Sequence, residues 1–454
     1  MERDPGGTRP DPADDKPWLA VVSFANPHDI ATYPAGAAAQ PVELPGGTTI
    51  QPTTQSIFGP VTIPACGDGT PAPVGGTARL PLNPLGFPQD CALGAPTQNE
   101  TLAGKPSCQR EYAYKMGLAL AAKTCLSLAQ RAGGDAEEVA ALAVKTALQS
   151  CIPFQLSDDP DLNCRLFLQL YGWLHAVVDT HIEAVLKTLE ETGQADNTVV
   201  IFLADHGEYA GAHGMMMEKW HSVYAEALHV PVVIRDPRLA AQDSRQVDAV
   251  TSHIDILPTV LGLAGVDAAE RHAIHSRLAQ RRPVPPLPGI DLTPLIKGEW
   301  PNDTVIGPDG EPREGVLFIT DDEITAPLPA TLGPHQRKAE QDFVIYAQTV
   351  DAVREGILGK GPVEMTPGAV RQPNHIRCVR TARYKLARYF DPSGQAAQEW
   401  ELYDLRHDPN ETTNLIELAA TPPTARADIG DRDAVQAEAD RLAMLLEKLE
   451  HQLL

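Results

Sequence analysis

Between Thr198 and Arg235 the chain reads TVVIFLADHGEYAGAHGMMMEKWHSVYAEALHVPVVIR. Seven mostly apolar residues, Thr198 to Ala204, have the make-up of a buried strand, and Asp205-His206-Gly207 breaks it off. A second glycine turn carries His213, Lys219 follows, and Val230 to Ile234 reads as a further apolar strand. A buried strand that ends in a carboxylate, imidazoles and an ammonium points to a layered α/β fold. In open sheets of that kind, ligands sit just outside the carboxyl ends of the strands. Asp205 offers an oxygen to a hard divalent cation and His206 a nitrogen. Lys219 can neutralise a tetrahedral anion.

The rest of the composition says where such an anion site has to come from. Of 454 residues, 37 are Lys or Arg and 60 are Asp or Glu, a formal net charge of −23. That balance disfavours nucleic acid and anionic membrane, so any anion must be held locally by a metal, a lysine or backbone amides. No apolar run is long enough to span a bilayer. The opening MERDPGGTRPDPADD lacks the apolar centre of a secretion signal. The compartment read from it is the cytoplasm by default, or the periplasm or exterior if the true start lies further upstream. The seven cysteines include no CxxC pair, and six fall between Cys66 and Cys164. They read as reduced thiols, or as disulfides in an exported protein.

Along the chain, Trp18 to Phe24 is a short apolar run that reads as a strand ending at Asn26-Pro27-His28-Asp29. If it lies parallel and next to the 198–204 strand, both polar clusters meet at one sheet edge, and His28 can protonate a leaving group there. Residues 31–106 are rich in Pro, Gly, Thr and Ala and read as a long insertion, either a substrate lid or a surface decoration. Two helices separated by Gly133-Gly134-Asp135 follow. Next comes a helix whose Leu170, Leu174, Val178, Ile182, Val185 and Leu189 form one apolar stripe. Ser252-His253-Ile254-Asp255 opens another, with Asp255 as its cap. After Trp300 separate runs at 316–320, 343–347, 376–381, 384–390 and 400–405 read as an antiparallel sheet, and 431–454 as a charged amphipathic helix. The expected architecture is α/β, a mixed sheet flanked by helices over residues 1–300, with a smaller antiparallel α+β subdomain over 301–454.

Five blocks, in order, resemble the sulfatase family of the alkaline phosphatase superfamily. They are KPWLAVVSFANPHDI (16–30), VVIFLADHGEYAGAHG (199–214), EKWHSVYAEALHVPVVI (218–234), SHIDILPTVLGLAG (252–265), and VRTARYKLARYF (379–390) with ELYDLRHDPNETTNL (401–415). The resemblance implies an alkaline-phosphatase-like sheet and hydrolysis of a small-molecule or saccharide sulfate ester, with no nucleic acid or membrane partner. It implies that Asp205 and His206 ligate a divalent metal of the calcium type, magnesium or manganese being alternatives. It also implies that Lys219 and His28 hold the sulfate group. His213 is expected to shape the loop, His221 to stand behind the site, and Met215-Met216-Met217 to pack or to line the cleft.

The family also uses a cysteine or serine in C/S-x-P-x-R, converted to formylglycine, and an Asp-Asp metal pair near the N-terminus. Both precede the block matched by NPHDI, so both are expected to be missing from this chain. Cys151-Ile152-Pro153-Phe154-Gln155 lacks the arginine, Ser127 to Arg131 fits only a relaxed pattern, and Asp321-Asp322 belongs to the later subdomain. The expectation is a sulfatase with an incomplete site and impaired turnover. The alternatives are a phosphodiesterase or phosphonate monoester hydrolase of the same superfamily, and a non-catalytic remnant.

Overall fold

In the computed structural model the stripe that begins at Leu170 becomes the longest helix of the protein, α3 (Pro160–Glu191). The structure describes residues 18–28, 30 and 93–454, apart from 133, 150–152, 158, 240–243, 322–324, 326–336, 357–358 and 360. It also describes four two-residue strands, β1 (Val42–Glu43), β2 (Thr49–Ile50), β3 (Pro64–Ala65) and β4 (Thr70–Pro71), paired as two short hairpins. Most of the 31–106 insertion therefore lies outside the described residues.

The first half of α3 is a core element. Phe167, Leu170, Trp173 and Leu174 are buried with Ile30, Phe154, Met215 and Met217. The second half carries the same stripe into solvent, with Val185 and Leu186 exposed. A 3-10 turn (Ala195–Asn197) then feeds β5 (Val200–Leu203), which pairs with β6 (Val232–Arg235). The pairing is antiparallel, with Val200 opposite Arg235 and Leu203 opposite Val232. Against the expectation of a buried strand, Phe202 and Leu203 are exposed, because among the described residues β6 is the one strand paired to β5.

The expected strand at 18–24 does not form. Residues 18–25 are irregular and exposed, Val21 at 84%, with Phe24 stacked on His181 of α3 at 6.1 Å. A strand exists only through a partner's backbone groups, and among the described residues none is paired to this run. The parallel-neighbour arrangement is therefore not seen.

Helices α1 (Ser107–Ala132) and α2 (Ala136–Gln149) flank the predicted break. Asp135 caps α2, its Oδ1 accepting from the Glu138 N–H at 2.9 Å while Glu138 Oε2 accepts from the Asp135 N–H at 3.1 Å. This is a reciprocal capping box. Residues 343–347 correct the sequence reading: FVIYA lies inside helix α9 (Arg337–Arg354), not in a strand. Its Ile345 and Tyr346, with Val350 and Val353, pack on Leu118, Ala122 and Ala143 of α1 and α2. Five apolar residues cannot distinguish helix from strand, and the glycine-free flanks on both sides decided for helix.

The later runs do form one antiparallel sheet, ordered β10-β9-β8-β7. Its strands are β7 (Val316–Thr320), β8 (His375–Arg380), β9 (Tyr384–Phe390) and β10 (Glu399–Asp404). Alternation sorts its side chains. Val379, Leu386, Trp400 and Leu402 face helix α10 (Arg432–Leu453) through Leu442, Leu445 and Leu446. Ile376, Cys378, Ala387 and Tyr389 face Cys108 of α1 and Val223 on the other side. The sheet is covered on both faces, and one cover leads directly to the candidate site. The protein is thus mixed α/β with a C-terminal antiparallel sheet. No helix among the described residues is long and apolar enough to cross a membrane.

Candidate active site

Asp205 and His206 follow β5 directly. The Asp205 side chain is 88% exposed. Its Oδ1 accepts from the His206 backbone N–H at 3.0 Å, which leaves Oδ2 free and 3.5 Å from His206 Nε2. His206 Nδ1 lies 2.8 Å from the Gly207 carbonyl oxygen. With Nδ1–H donating there, the lone pair of Nε2 is left for a ligand. One carboxylate oxygen and one imidazole nitrogen at that spacing fit a single shared divalent cation. Among the described residues, no group of three or more His, Cys, Asp and Glu gathers around one such position.

Gly207 has a steric reason to be glycine. Its N–H donates to the Ala227 carbonyl at 2.9 Å, and a Cβ built there would lie 1.8 Å from the Glu226 backbone oxygen. The turn α5 (Ala225–Leu228) is pressed against the Asp-His step by this approach. Gly207→Ala is expected to cost about 3 kcal/mol or more, because both sides of the clash are backbone. Chemical denaturation reads this directly, and a loss under about 1 kcal/mol would contradict the close approach.

Past Gly207 the chain doubles back. Tyr209 N–H donates to the Glu218 carbonyl at 3.0 Å and Gly211 N–H to the Met216 carbonyl at 2.8 Å, around the short turn α4 (Ala212–Met215). Ala210, His213, Met215 and Glu218 all have positive φ, between 48° and 66°. Gly211 sits at φ 90°, and a Cβ there would lie 2.3 Å from Cys164 Sγ. The Tyr112 hydroxyl of α1 donates to the Met217 carbonyl and accepts from the Trp220 N–H at 3.0 Å. This bracket presents Lys219, whose Nζ donates to Glu218 Oε2 at 3.0 Å. Met215, Met216 and Met217 are buried and pack beneath the loop.

His28 lies in a 3-10 turn, exposed, its N–H donating to the Ala25 carbonyl at 2.9 Å. Ile30 anchors that turn in the cluster containing Met215 and Met217. Among the described residues, no hydrogen bond or ion pair joins His28 to Asp205, His206 or Lys219. His221 is buried edge-on to Tyr112 at 5.4 Å, with Nδ1 3.3 Å from the Asn374 carbonyl oxygen. Asp255 does more than cap: it also pairs with Arg313. His253 Nε2 sits 3.0 Å from the Ala204 carbonyl oxygen, bracing the end of β5.

Of the decoys, Asp321 is the one whose side chain is described. Asp321 is held by His375 Nδ1 at 2.9 Å and Arg377 Nη1 at 2.8 Å. Burial pushes its carboxyl up, but these two partners outweigh it and hold it below its usual range. Asp322, Cys151 and the side chains of 127–131 lie outside the described residues, and the backbone of 127–131 belongs to α1.

The sequence reading missed four acidic groups around the loop. Glu208 Oε1 accepts the backbone N–H of Ala210 and of Glu218, at 3.1 and 2.6 Å. Burial first, and Glu218 second, push Glu208 up to about 8. Glu100 and Glu226 flank His213 at 2.9 and 3.2 Å. Charged loop residues are usually solvated, so no local pattern marks them.

A phosphate- or sulfate-type anion beside a cation, a lysine and an imidazole is the setting of ester hydrolases that stabilise a charged tetrahedral group. Comparison with known proteins gives the family. Residues 11–266 match the family described as Sulfatase, and 367–426 match the one described as N-sulphoglucosamine sulphohydrolase, C-terminal. The first match covers more than half of the chain, which belongs to the sulfatase family of the alkaline phosphatase superfamily.

The chain is 30% identical over 244 residues to an arylsulfatase of Chlamydomonas reinhardtii, covering 53% of this chain and 30% of that one. It is 25% identical over 244 residues to the N-acetylglucosamine-6-sulfatase of Homo sapiens, covering 52% and 35%. It thus spans about a third of the length of these curated relatives. A solved phosphonate monoester hydrolase from Silicibacter pomeroyi overlaps 87% of this chain and 65% of its own, at 21% identity and a TM-score of 0.46.

Proposed function

We propose that this chain carries the cation- and anion-receiving part of a sulfate-ester hydrolase site. Asp205 Oδ2 and His206 Nε2 hold a divalent cation, calcium first, and Lys219 and His28 take the sulfate group. The observation that supports this most is the pair of free donor atoms 3.5 Å apart at the end of β5. The bound cation supplies charge that draws electron density from the ester oxygens. Lys219 adds a second positive charge, and Glu218 orients its ammonium through the 3.0 Å hydrogen bond. His28, exposed on its turn, is the group that donates a proton to the leaving oxygen. Sulfated saccharides are the substrate class, by analogy with the N-acetylglucosamine-6-sulfatase among its relatives. We also propose the division at residue 300 into a catalytic part and a C-terminal subdomain.

The sequence contains neither C-x-P-x-R nor S-x-P-x-R. The reading therefore assigns no nucleophile to these 454 residues and expects ligand binding with negligible turnover. Calorimetry and thermal melts with calcium, magnesium and manganese test the cation. Calcium at a hundred times its Kd is expected to add about 2.7 kcal/mol of stability. Asp205→Asn and His206→Ala are each expected to remove that gain, and an undiminished gain in both sinks the assignment. Tighter binding of a phosphate diester than of an aryl sulfate would transfer the site to the phosphodiesterase or phosphonate hydrolase reading.

A further inference from the structure

The loop from Gly207 to Lys219 is an unfavourable backbone held in place. Four non-glycine residues with positive φ cost about 1–3 kcal/mol each, and such strain persists only where the surroundings over-determine it. Backbone contacts supply part of the restraint. Thr97 Oγ1 accepts from the His213 N–H at 3.0 Å and the Thr97 carbonyl from the Gly214 N–H at 3.0 Å. Gln155 Nε2 donates to the Gly214 carbonyl at 2.6 Å. At the centre of the loop lies one fully buried, ionisable side chain, His213.

Both of its ring nitrogens meet carboxylates. Nδ1 is 2.9 Å from Glu100 Oε2 and Nε2 is 3.2 Å from Glu226 Oε2. Only an imidazolium can donate to both. The ring stacks on Tyr224 at 3.8 Å between centroids, and Tyr209 meets it edge-on at 6.4 Å. The opposing charge is Lys105, which pairs with Glu100 Oε1 at 3.0 Å, while Lys385 acts on Glu226 from the C-terminal sheet. Three separate segments therefore converge on one ring: residues 97–105, the turn α5 and the loop itself.

We infer that His213 is a positioning residue, its imidazolium clamped between Glu100 and Glu226 so that the loop keeps the left-handed course presenting Lys219, and released when the ring loses its proton. Burial alone pulls the His213 pKa down, but the hydrogen bonds to Glu100 and Glu226 outweigh it and raise it above its ordinary value. The stabilisation is therefore complete below the ordinary histidine range and is lost as pH rises through the raised value. Glu226 responds in the matching sense. Burial raises it, but His213 draws it below its usual range. The clamp rests on the proposed function only for what the loop presents; the clamp itself needs neither metal nor substrate.

Two activity-free measurements on the full chain test it: the imidazole carbon-bound proton shifts of His213, and amide hydrogen exchange over residues 207–219 against pH. His213 is expected to lose its proton at a pH above the ordinary histidine value. Loop exchange, corrected for its intrinsic pH dependence, is expected to quicken about tenfold as the ring deprotonates. In His213→Gln the loop should exchange fast at every pH, with β8 and β9 still protected. Should that variant misfold, Glu226→Gln keeps the shape and is expected to move the midpoint to lower pH. A His213 midpoint at or below the ordinary histidine value, or unchanged pH dependence in His213→Gln, overturns the clamp. Failure to bind calcium with the clamp intact would instead sink only the proposed function.

Discussion

Glu401→Ala is expected to lower the unfolding free energy by about 2–6 kcal/mol, since it leaves two buried hydroxyls without an acceptor at about 1–3 kcal/mol each. Glu401 is fully buried on β10. Its Oε1 accepts from the Tyr224 and Tyr403 hydroxyls at 2.8 and 2.6 Å. Its Oε2 accepts from the Tyr389 hydroxyl at 2.6 Å and from Gln109 Nε2 at 3.2 Å. Removing the carboxylate leaves the Tyr389 and Tyr403 hydroxyls without their acceptor, while the Tyr224 hydroxyl keeps Gln109 Oε1 at 2.7 Å and Gln109 Nε2 keeps the Tyr389 oxygen at 3.0 Å. Burial first, and Glu401 next, raise all three tyrosines well above their usual range, so they stay neutral donors across the working pH range.

The effect should also reach the candidate site. Tyr224 joins the Glu401 cluster to His213, and Gln109 belongs to α1, so one carboxylate fastens the C-terminal sheet to the loop. Glu401→Gln keeps an acceptor but turns an NH2 toward two donors, and should fall between the wild type and Glu401→Ala. Denaturant titration of the three proteins is the measurement. A loss below about 1 kcal/mol for Glu401→Ala would mean that water or repacking satisfies the donors.

The second large effect is expected at Asp255. This buried carboxylate accepts both Arg313 guanidinium nitrogens, at 2.6 and 2.7 Å, and the backbone N–H groups of Ser252 and Ile290, at 2.9 and 2.8 Å. Asp255→Ala strands a largely buried guanidinium and removes the acceptor that closes the capping box with Ser252 ahead of α6 (Ile256–Leu263), for a cost of about 3–5 kcal/mol. Removing Arg313 as well takes away the stranded charge. The double variant should therefore lose clearly less than the sum of the single ones, and strict additivity would deny the coupling. Because His253 stands two residues away and braces the Ala204 carbonyl, the single variant should also weaken the proposed cation binding at Asp205.

These two carboxylates show where sequence legibility stops. Asp255 is readable as a cap from its place before an apolar helix, yet its stronger partner, Arg313, lies 58 residues away. Glu401 sits in WELYDL, a run legible only as a strand, and meets Gln109 across 292 residues. Nothing local distinguishes either from a solvated surface acid. The elements themselves were more legible. The stripe of α3, the amphipathic α10 and the four strands β7 to β10 follow from periodicity, because burial of one face needs the same spacing whatever the partner. The exceptions are short. FVIYA became part of α9 through its flanks, and Trp18 to Phe24 has no strand partner among the described residues.

Of the candidate site, the place of Asp205 and His206 at a strand end was legible, because adjacent residues share a position in any fold. The family likewise is carried by local motifs in order along the chain. The course of the loop, the carboxylates on either side of His213 and the fastening through Glu401 were settled by packing. Several of the groups involved come together across 100 residues or more, as His213 and Glu100 do at a separation of 113, although Glu226 stands only 13 residues from His213. Short-range chemistry is written in neighbouring letters, whereas a buried charge is paired only by what the folded chain brings to it.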